Sequence, residues 1–291
     1  MKQLQFTVIG GDMRQVKLSN LLVADGHLVS AFAIDQVRPE GAVLSASLQT
    51  AVGGADCILL PLPLTRTCNH LNTPLSDTIL TTEDVFSALS PAQIICGGRI
   101  GESAHKEAAL RGLHLLDYFQ REELVVANAA ATAEGAIQVA MEATSTILLG
   151  SRVLILGFGR IGKLLAHRLR ALGANVTVTA RTFTDLAWIS AYGYEALHTD
   201  TIDTHLTGFD LLFNTIPHPV LHAKRLARLD ISTLCIDLSS KPGGIDFSAA
   251  ANLGIRTIWS LGLPGEVAPV SAAAMIRDTI YNILSEQEKT L

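Results

Sequence analysis

Residues 153–162 read Val-Leu-Ile-Leu-Gly-Phe-Gly-Arg-Ile-Gly, and no other stretch constrains the chain more. A continuous apolar run ends in G-x-G-x-x-G, and a helix-like pattern follows at once. A buried strand, a tight turn and a helix N-terminus in that order form the geometry that cradles a dinucleotide pyrophosphate. Gly157 permits the turn, Gly159 lets phosphate approach the backbone, and Gly162 lets helix and strand pack closely. Unpaired N–H groups at the helix start and the helix dipole then favour negative charge. Phe158, Arg160 and Ile161 complete the expected loop. A second strand, Asn175 to Thr179, follows where a βαβ unit needs one.

The end of that second strand refines the expectation. A site for NAD usually carries an acidic residue about 20 residues past the glycines, bonded to the ribose 2′-hydroxyl. Here the chain reads Ala180-Arg181-Thr182, with no carboxylate. Arg181 suits a 2′-phosphate through a charge-assisted fork, and Thr182 offers a hydroxyl, so NADP is the expected cofactor.

The 291 residues suffice for two domains, each with its own core. Hydrophobic residues make up 48% and charged residues 17%, the balance of α/β proteins with buried parallel strands. A net charge of −5 without a basic stripe argues against nucleic acid. The cysteines Cys57, Cys68, Cys96 and Cys235 lack CxxC spacing, which predicts reduced thiols and no metal. The N-terminus has no signal-peptide core, and no uncharged apolar run reaches about 18 residues, so a soluble, cytoplasmic protein is expected.

The first half alternates strands (Phe6 to Ile9, His27 to Ala33, Asp56 to Pro61, Gln93 to Cys96, Leu113 to Asp117) with helices (Arg14 to Asp25, Ser45 to Val52, Thr82 to Leu89, Glu102 to Arg111). That order implies a parallel doubly wound domain with right-handed crossovers. Residues 1–130 are expected as a substrate-side α/β domain and 131–267 as a dinucleotide-binding domain. A long helix, Ala131 to Leu149, would lead into the second. Its strands are expected at Val153–Leu156, Val176–Thr179, Leu211–Phe213, Leu234–Leu238 and Arg256–Trp259. A final helix within 268–291 is expected to rejoin the first domain, ahead of a polar tail.

Ligands of open α/β sheets sit outside the carboxyl ends of the strands. The first domain offers Asp12, Arg14 and Arg99 there. The second offers Asn214, Thr215, Pro217 and His218, then Asp237 and Lys241. Asn214, Thr215, Pro217 and Asp237 suit cofactor contact, Asp237 alternatively orienting a loop. His218, Lys241 and Asp12 are candidates for proton transfer, since histidine titrates near working pH. Arg14 and Arg99 suit bidentate carboxylate recognition or structural ion pairs. Thr132 reads as the N-cap of the linking helix, with Glu134 in its first turn; both are also candidate substrate contacts.

Several segments together carry a resemblance: Gly10-Gly11-Asp12-x-Arg14, Asn128 with Thr132-Ala133-Glu134-Gly135-Ala136-Ile137, the glycine loop, Asp237-Leu238-x-Ser240-Lys241-Pro242-Gly243-Gly244, and Gly262-Leu263-Pro264-Gly265-x-Val267-Ala268-Pro269. In order and over nearly the whole chain, they resemble the dipicolinate synthase A-subunit family. Glu266 stands where the resemblance implies a basic residue. The resemblance implies two doubly wound domains, the second of Rossmann type, as in D-2-hydroxyacid and alanine dehydrogenases. It further implies NADP-dependent oxidation of dihydrodipicolinate to pyridine-2,6-dicarboxylate, on a branch from lysine synthesis. The setting would be the mother cell of a sporulating bacterium, and the partner would be a flavoprotein-like B-subunit. Self-association is also expected, and no membrane. A dicarboxylate needs cations, and Arg14, Arg99 and Lys241 are available. Two other readings stay open: an NADP-dependent 2-hydroxy- or 2-amino-acid dehydrogenase, and a cofactor-binding structural subunit whose partner performs the chemistry.

Overall fold

A computed structural model describes residues 2–288. The chain divides into two units, Met1–Asn128 with Ala268–Leu291, and Ala129–Val267. Positions 289–291 of the expected final helix and polar tail lie outside the described residues.

Each unit is built on a six-stranded, wholly parallel sheet. In chain order the first unit has β1 (Gln5–Ile9), β2 (Leu28–Phe32), β3 (Val43–Leu44), β4 (Cys57–Leu59), a small antiparallel hairpin β5 (Thr65–Thr67) and β6 (His70–Leu71), then β7 (Ile94–Gly97) and β8 (Leu115–Asp117). The sheet order is β3-β2-β1-β4-β7-β8. The second unit has β9 (Arg152–Leu156), β10 (Asn175–Ala180), β11 (Glu195–His198), β12 (Leu211–Asn214), β13 (Leu234–Asp237) and β14 (Arg256–Trp259), in the order β11-β10-β9-β12-β13-β14. Both sheets therefore reverse direction beside their first strand. The loops after β1 and β4, and after β9 and β12, open at those switch points, where α/β sheets hold ligands.

The central strands are apolar because helices cover both faces. Val153, Leu154, Ile155 and Leu156 of β9 are fully buried, alternating between two hydrophobic clusters. Beside the short hairpin strands β5 and β6, the sequence reading misses two strands of the main sheets: β3, only two residues long, and β11, an edge strand of largely half-buried residues. Neither carries the apolar run that marks a central strand.

The connecting helix differs from expectation. It spans Glu122–Ala143, not 131–149. Glu122 and Glu123 supply the acidic first turn that favours a helix N-terminus, and Ala129 to Ala131 are strong helix formers, so nothing breaks the helix before Thr132. By length and composition it is apolar enough to cross a membrane, and half of its apolar window is buried inside the protein. Ala133, Ala136 and Ala140 pack in the second unit's core. Gly135 permits this: a Cβ there would lie 3.0 Å from Val267 and 3.1 Å from Leu263.

In the first unit the C-terminal helix Pro269–Glu288 buries Ala273, Ile276, Ile280 and Ile283 beside Leu18 and Leu22 of helix Met13–Ala24. Tyr281 donates to Asp25 Oδ2 at 2.8 Å, and its ring meets His27 edge-on. His27 is buried against Phe6, and its Nδ1 accepts from the Leu4 N–H at 3.2 Å. Burial holds the His27 pKa below its ordinary 6.5, outweighing the attraction of Asp25. The unfolded chain then binds this proton more readily than the folded one, so stability is present at neutral pH and lost as pH falls through 6.5. Denaturant unfolding at pH 7.5 and pH 5.5 should show a smaller pH-dependent loss in His27→Gln than in the unmodified chain. Equal losses in both would exclude His27 as the source.

Candidate functional site

The glycine loop joins β9 to helix Arg160–Ala171, and its three glycines answer to different constraints. Gly157 has φ +98, and a Cβ there would lie 2.6 Å from Thr215 Oγ1. A Cβ on Gly162 would collide with the Gly157 carbonyl oxygen. Both are glycine because the protein's own atoms demand it. Nothing lies within 4 Å of a Cβ at Gly159, yet it is the N-cap residue of a 12-residue helix and offers no side-chain cap. Open space beside uncapped N–H groups is the cradle a pyrophosphate fills. The Phe158 side chain is buried in the core with the Lys163 ammonium 5.1 Å from its ring centre, and Ile161 packs against the same core. These two residues leave only backbone for a ligand. Arg160 is exposed on the first helical turn.

At the end of β10, Ala180 is buried and Arg181 exposed. Among the described residues the Arg181 guanidinium has no hydrogen-bond or ion-pair partner, so it is available for a phosphate. Thr182 departs from the sequence reading. Its Oγ1 caps helix Phe183–Ala191 by accepting from the Asp185 N–H, and it donates to Asp185 Oδ2 at 2.8 Å. That hydroxyl is committed. The T-x-x-D spacing is a helix-start signature that could have revealed this.

Asn214 and Asp237 are register partners on the last rung of β12 and β13, and both are 0% exposed. They too are corrected as cofactor contacts. Asp237 Oδ1 accepts from Asn214 Nδ2 (2.8 Å) and from the N–H and hydroxyl of Ser239 (2.9 and 2.7 Å). Its Oδ2 accepts from the N–H groups of Gly244 (2.7 Å) and Ile245 (3.2 Å). Asn214 also donates to the Ile216 carbonyl and accepts from its N–H. A Cβ on Gly244 would strike Asn214 Nδ2, and one on Gly243 would lie 3.2 Å from Asp237 Oδ2. The Ser-Lys-Pro-Gly-Gly segment is therefore a loop folded onto a buried carboxylate. Its tip presents Lys241 to solvent, without a partner among the described residues. Thr215 directs both its hydroxyl (2.8 Å) and its backbone N–H (3.0 Å) to the Leu156 carbonyl, so neither donor is left for a ligand. Pro217 and His218 are exposed, and no described residue orients the His218 ring.

In the first unit, Asp12 is corrected as a proton-transfer candidate. It caps helix Met13–Ala24 in a capping box with Gln15. It also takes Arg14 Nε and Nη2 at 3.0 and 2.7 Å. Arg14 is 7% exposed and also donates from Nη2 to the Leu62 carbonyl, which leaves its Nη1 edge for a ligand. The sequence reading missed Gln15, whose buried Nε2 has no partner beside this cluster; the D-x-x-Q spacing was its signal. It also missed Asp117 as a loop organiser. Asp117 accepts from the N–H groups of Arg99 (3.0 Å), Ile100 (2.8 Å) and Phe119 (2.8 Å). Arg99 is thereby held at φ +54, its exposed guanidinium 5.9 Å from the Phe119 ring centre.

Thr132 and Glu134 are corrected in their setting. Thr132 is buried within helix Glu122–Ala143, ten residues past its start, so it is not an N-cap. Glu134 pairs with Arg168 at 2.9 Å in an exposed ion pair on the second unit, which accounts for it without a substrate.

Residues 5–119 match the family model described as the N-terminal domain of the dipicolinate synthase A-subunit. Residues 124–239 match that of the D-isomer specific 2-hydroxyacid dehydrogenase NAD binding domain. The chain is 33% identical over 287 residues to the dipicolinate synthase A-subunit of Bacillus subtilis (strain 168), covering 97% of this chain and 96% of that one. The crystal structure of the dipicolinate synthase A chain from Bacillus subtilis superposes with a TM-score of 0.87 at 30% identity, covering 100% of this chain and 99% of that chain. An L-alanine dehydrogenase shares the fold alone, with a TM-score of 0.62 at 16% identity, covering 95% and 88%.

The buried carboxylate network predicts that Asp237→Ala lowers unfolding free energy by about 3 kcal/mol or more, because several buried donors lose their acceptor. Urea denaturation measures it, and a loss within about 0.5 kcal/mol would show that the network does not hold the loop. The glycine loop separates two effects. Gly162→Ala should lower the thermal midpoint, whereas Gly159→Ala should leave folding intact and weaken dinucleotide binding about tenfold or more, about 1.4 kcal/mol. Unchanged binding by Gly159→Ala would remove the loop from the cofactor site.

Proposed function

The chain belongs to the dipicolinate synthase A-subunit family, and from that premise we propose that it oxidises dihydrodipicolinate to pyridine-2,6-dicarboxylate with NADP⁺. The observation that carries the reading is the cradle at Gly159, open where both neighbouring glycines are closed by packing. The unpartnered Arg181, at a strand end without a carboxylate, supports NADP over NAD. When bound, the nicotinamide supplies the hydride acceptor; the second hydrogen leaves the substrate ring as a proton, and aromatisation drives the reaction.

The chain's own task is binding, orientation and charge placement. Cationic side chains are what we assign to substrate carboxylates: the first unit offers Arg99 and the Nη1 edge of Arg14, and the second unit offers Lys241. Asp117 fixes the Arg99 backbone, and Asp237 fixes the loop carrying Lys241, so both cations start from ordered backbone. His218 is the residue we assign to the departing proton, since Lys241 held as a cation has no lone pair to accept it. The Bacillus subtilis relative is, by its name, one of at least two kinds of chain in its synthase. We further propose that this chain works with a B-subunit, in the cytoplasm of the mother cell of a spore-forming bacterium.

The deciding experiment supplies NADP⁺ and freshly made dihydrodipicolinate to this chain by itself, to the B-subunit by itself and to both together. NADPH and pyridine absorbance should rise together wherever this chain is present and intact. Pyridine formation that survives Gly159→Ala with unchanged rate would assign the chemistry to the partner and leave this chain a structural role. Arg181→Ala should weaken NADP⁺ about tenfold and leave NAD⁺ within about twofold, a difference of about 1.4 kcal/mol. Lys241→Ala should lower turnover at least tenfold with NADP⁺ affinity unchanged; full activity would remove Lys241 from the site.

A further inference from the structure

Strands β10 and β11 pair in parallel from Thr177↔Glu195 to Ala180↔His198, and there the ladder ends. Arg181 lies one residue beyond, where no strand partner remains for its carbonyl. The side chain of His198, the last residue of β11, takes over that role: its Nε2 lies 3.0 Å from the Arg181 carbonyl oxygen. The other ring nitrogen is also engaged. His198 caps the short helical turn Thr199–Thr204, its Nδ1 accepting from the Asp200 N–H at 3.2 Å. An Nδ1 that accepts carries no proton, so the neutral ring holds its hydrogen on Nε2 and donates it to Arg181. The ring of Phe183, 82% exposed, packs at a tilt against the imidazole with centres 5.8 Å apart. Two hydrogen bonds and one ring contact thus fix His198, and His198 fixes the backbone from which the unpartnered Arg181 guanidinium projects.

We propose that His198 is the positioning residue for cofactor choice: by holding the Arg181 carbonyl it aims the Arg181 guanidinium at the 2′-phosphate monoester that distinguishes NADP from NAD. The inference rests on the proposed use of NADP. Its physical content is preorganisation. A long cationic side chain on a fixed backbone loses less freedom on binding than one on a mobile turn, a saving that reaches about tenfold in affinity. NAD lacks the 2′-phosphate and gains nothing from it.

The test is titration calorimetry of the full chain with NADP⁺ and with NAD⁺. The variants are His198→Ala, His198→Gln, Arg181→Ala and the Arg181→Ala/His198→Ala double variant, each checked by thermal unfolding. His198→Ala should weaken NADP⁺ about five- to tenfold and leave NAD⁺ within about twofold. His198→Gln keeps an N–H donor and should recover most of the loss. In the Arg181→Ala background, His198→Ala should have no further effect, because nothing is left to aim. Equal weakening of both dinucleotides, or a full effect persisting without Arg181, would overturn the proposal. Arg181→Ala that leaves the NADP⁺/NAD⁺ ratio unchanged would instead overturn the cofactor reading beneath it. Nitrogen NMR of the His198 ring adds a readout independent of any variant: the Nε2–H tautomer is expected, and the Nδ1–H tautomer would refute the geometry.

Discussion

The carboxylate of Asp237 lies fully inside the second unit, and the loop that follows it is organised around that charge. A buried carboxylate is costly unless its lone pairs are met by donors, and here the Asn214 amide, the Ser239 hydroxyl and three backbone N–H groups meet it. Satisfying the charge dictates the loop. Chain 239–245 must turn back so that Gly244 and Ile245 point their N–H groups inward, and Gly243 and Gly244 must lack side chains to come close enough. Trp259 of β14 closes the arrangement by donating to the Ser239 carbonyl at 2.9 Å. One desolvated charge thereby ties three strand ends together and exposes Lys241 at the loop tip.

The same logic recurs in the first unit with a different residue. Asp117 gathers the N–H groups that follow β7, as Asp237 gathers those that follow β13, and each leaves one basic residue exposed, Arg99 or Lys241. Both units use one sheet order, and both place short acidic side chains at the carboxyl ends of strands. In each case the acid serves the backbone rather than a ligand. The basic residues beside it, Arg99 and Lys241, are left exposed at the strand ends.

Polar side chains at the strand ends divide in the same way. Gly157, Gly159 and Gly162 were legible because their spacing encodes backbone geometry over six residues, a local matter. Thr182 and Asp12 misled because each sits at a strand end in a position that suits ligand binding and helix capping equally. Their T-x-x-D and D-x-x-Q spacings were readable, and capping is what they do. Thr132 misleads because a threonine beside a run of small residues looks like a helix start, whereas Glu122 and Glu123 supply the first turn ten residues earlier.

The sequence by itself determined the alternation of strands and helices, the dinucleotide loop and the absence of an acid beside Arg181, since all of these follow from local periodicity and backbone constraint. It also carried the family resemblance in segments such as Ser-Lys-Pro-Gly-Gly, without the reason for their composition. Only the tertiary structure decided which polar groups stay free. Asn214 meets Asp237 across 23 residues and Arg14 meets the Leu62 carbonyl across 48, so their commitment leaves no local pattern. Local caps such as Thr182 and Asp12 can be read from spacing, but hydrogen bonds between distant segments are made by the fold, and these decide for Asn214 and Arg14 which groups hold the protein together.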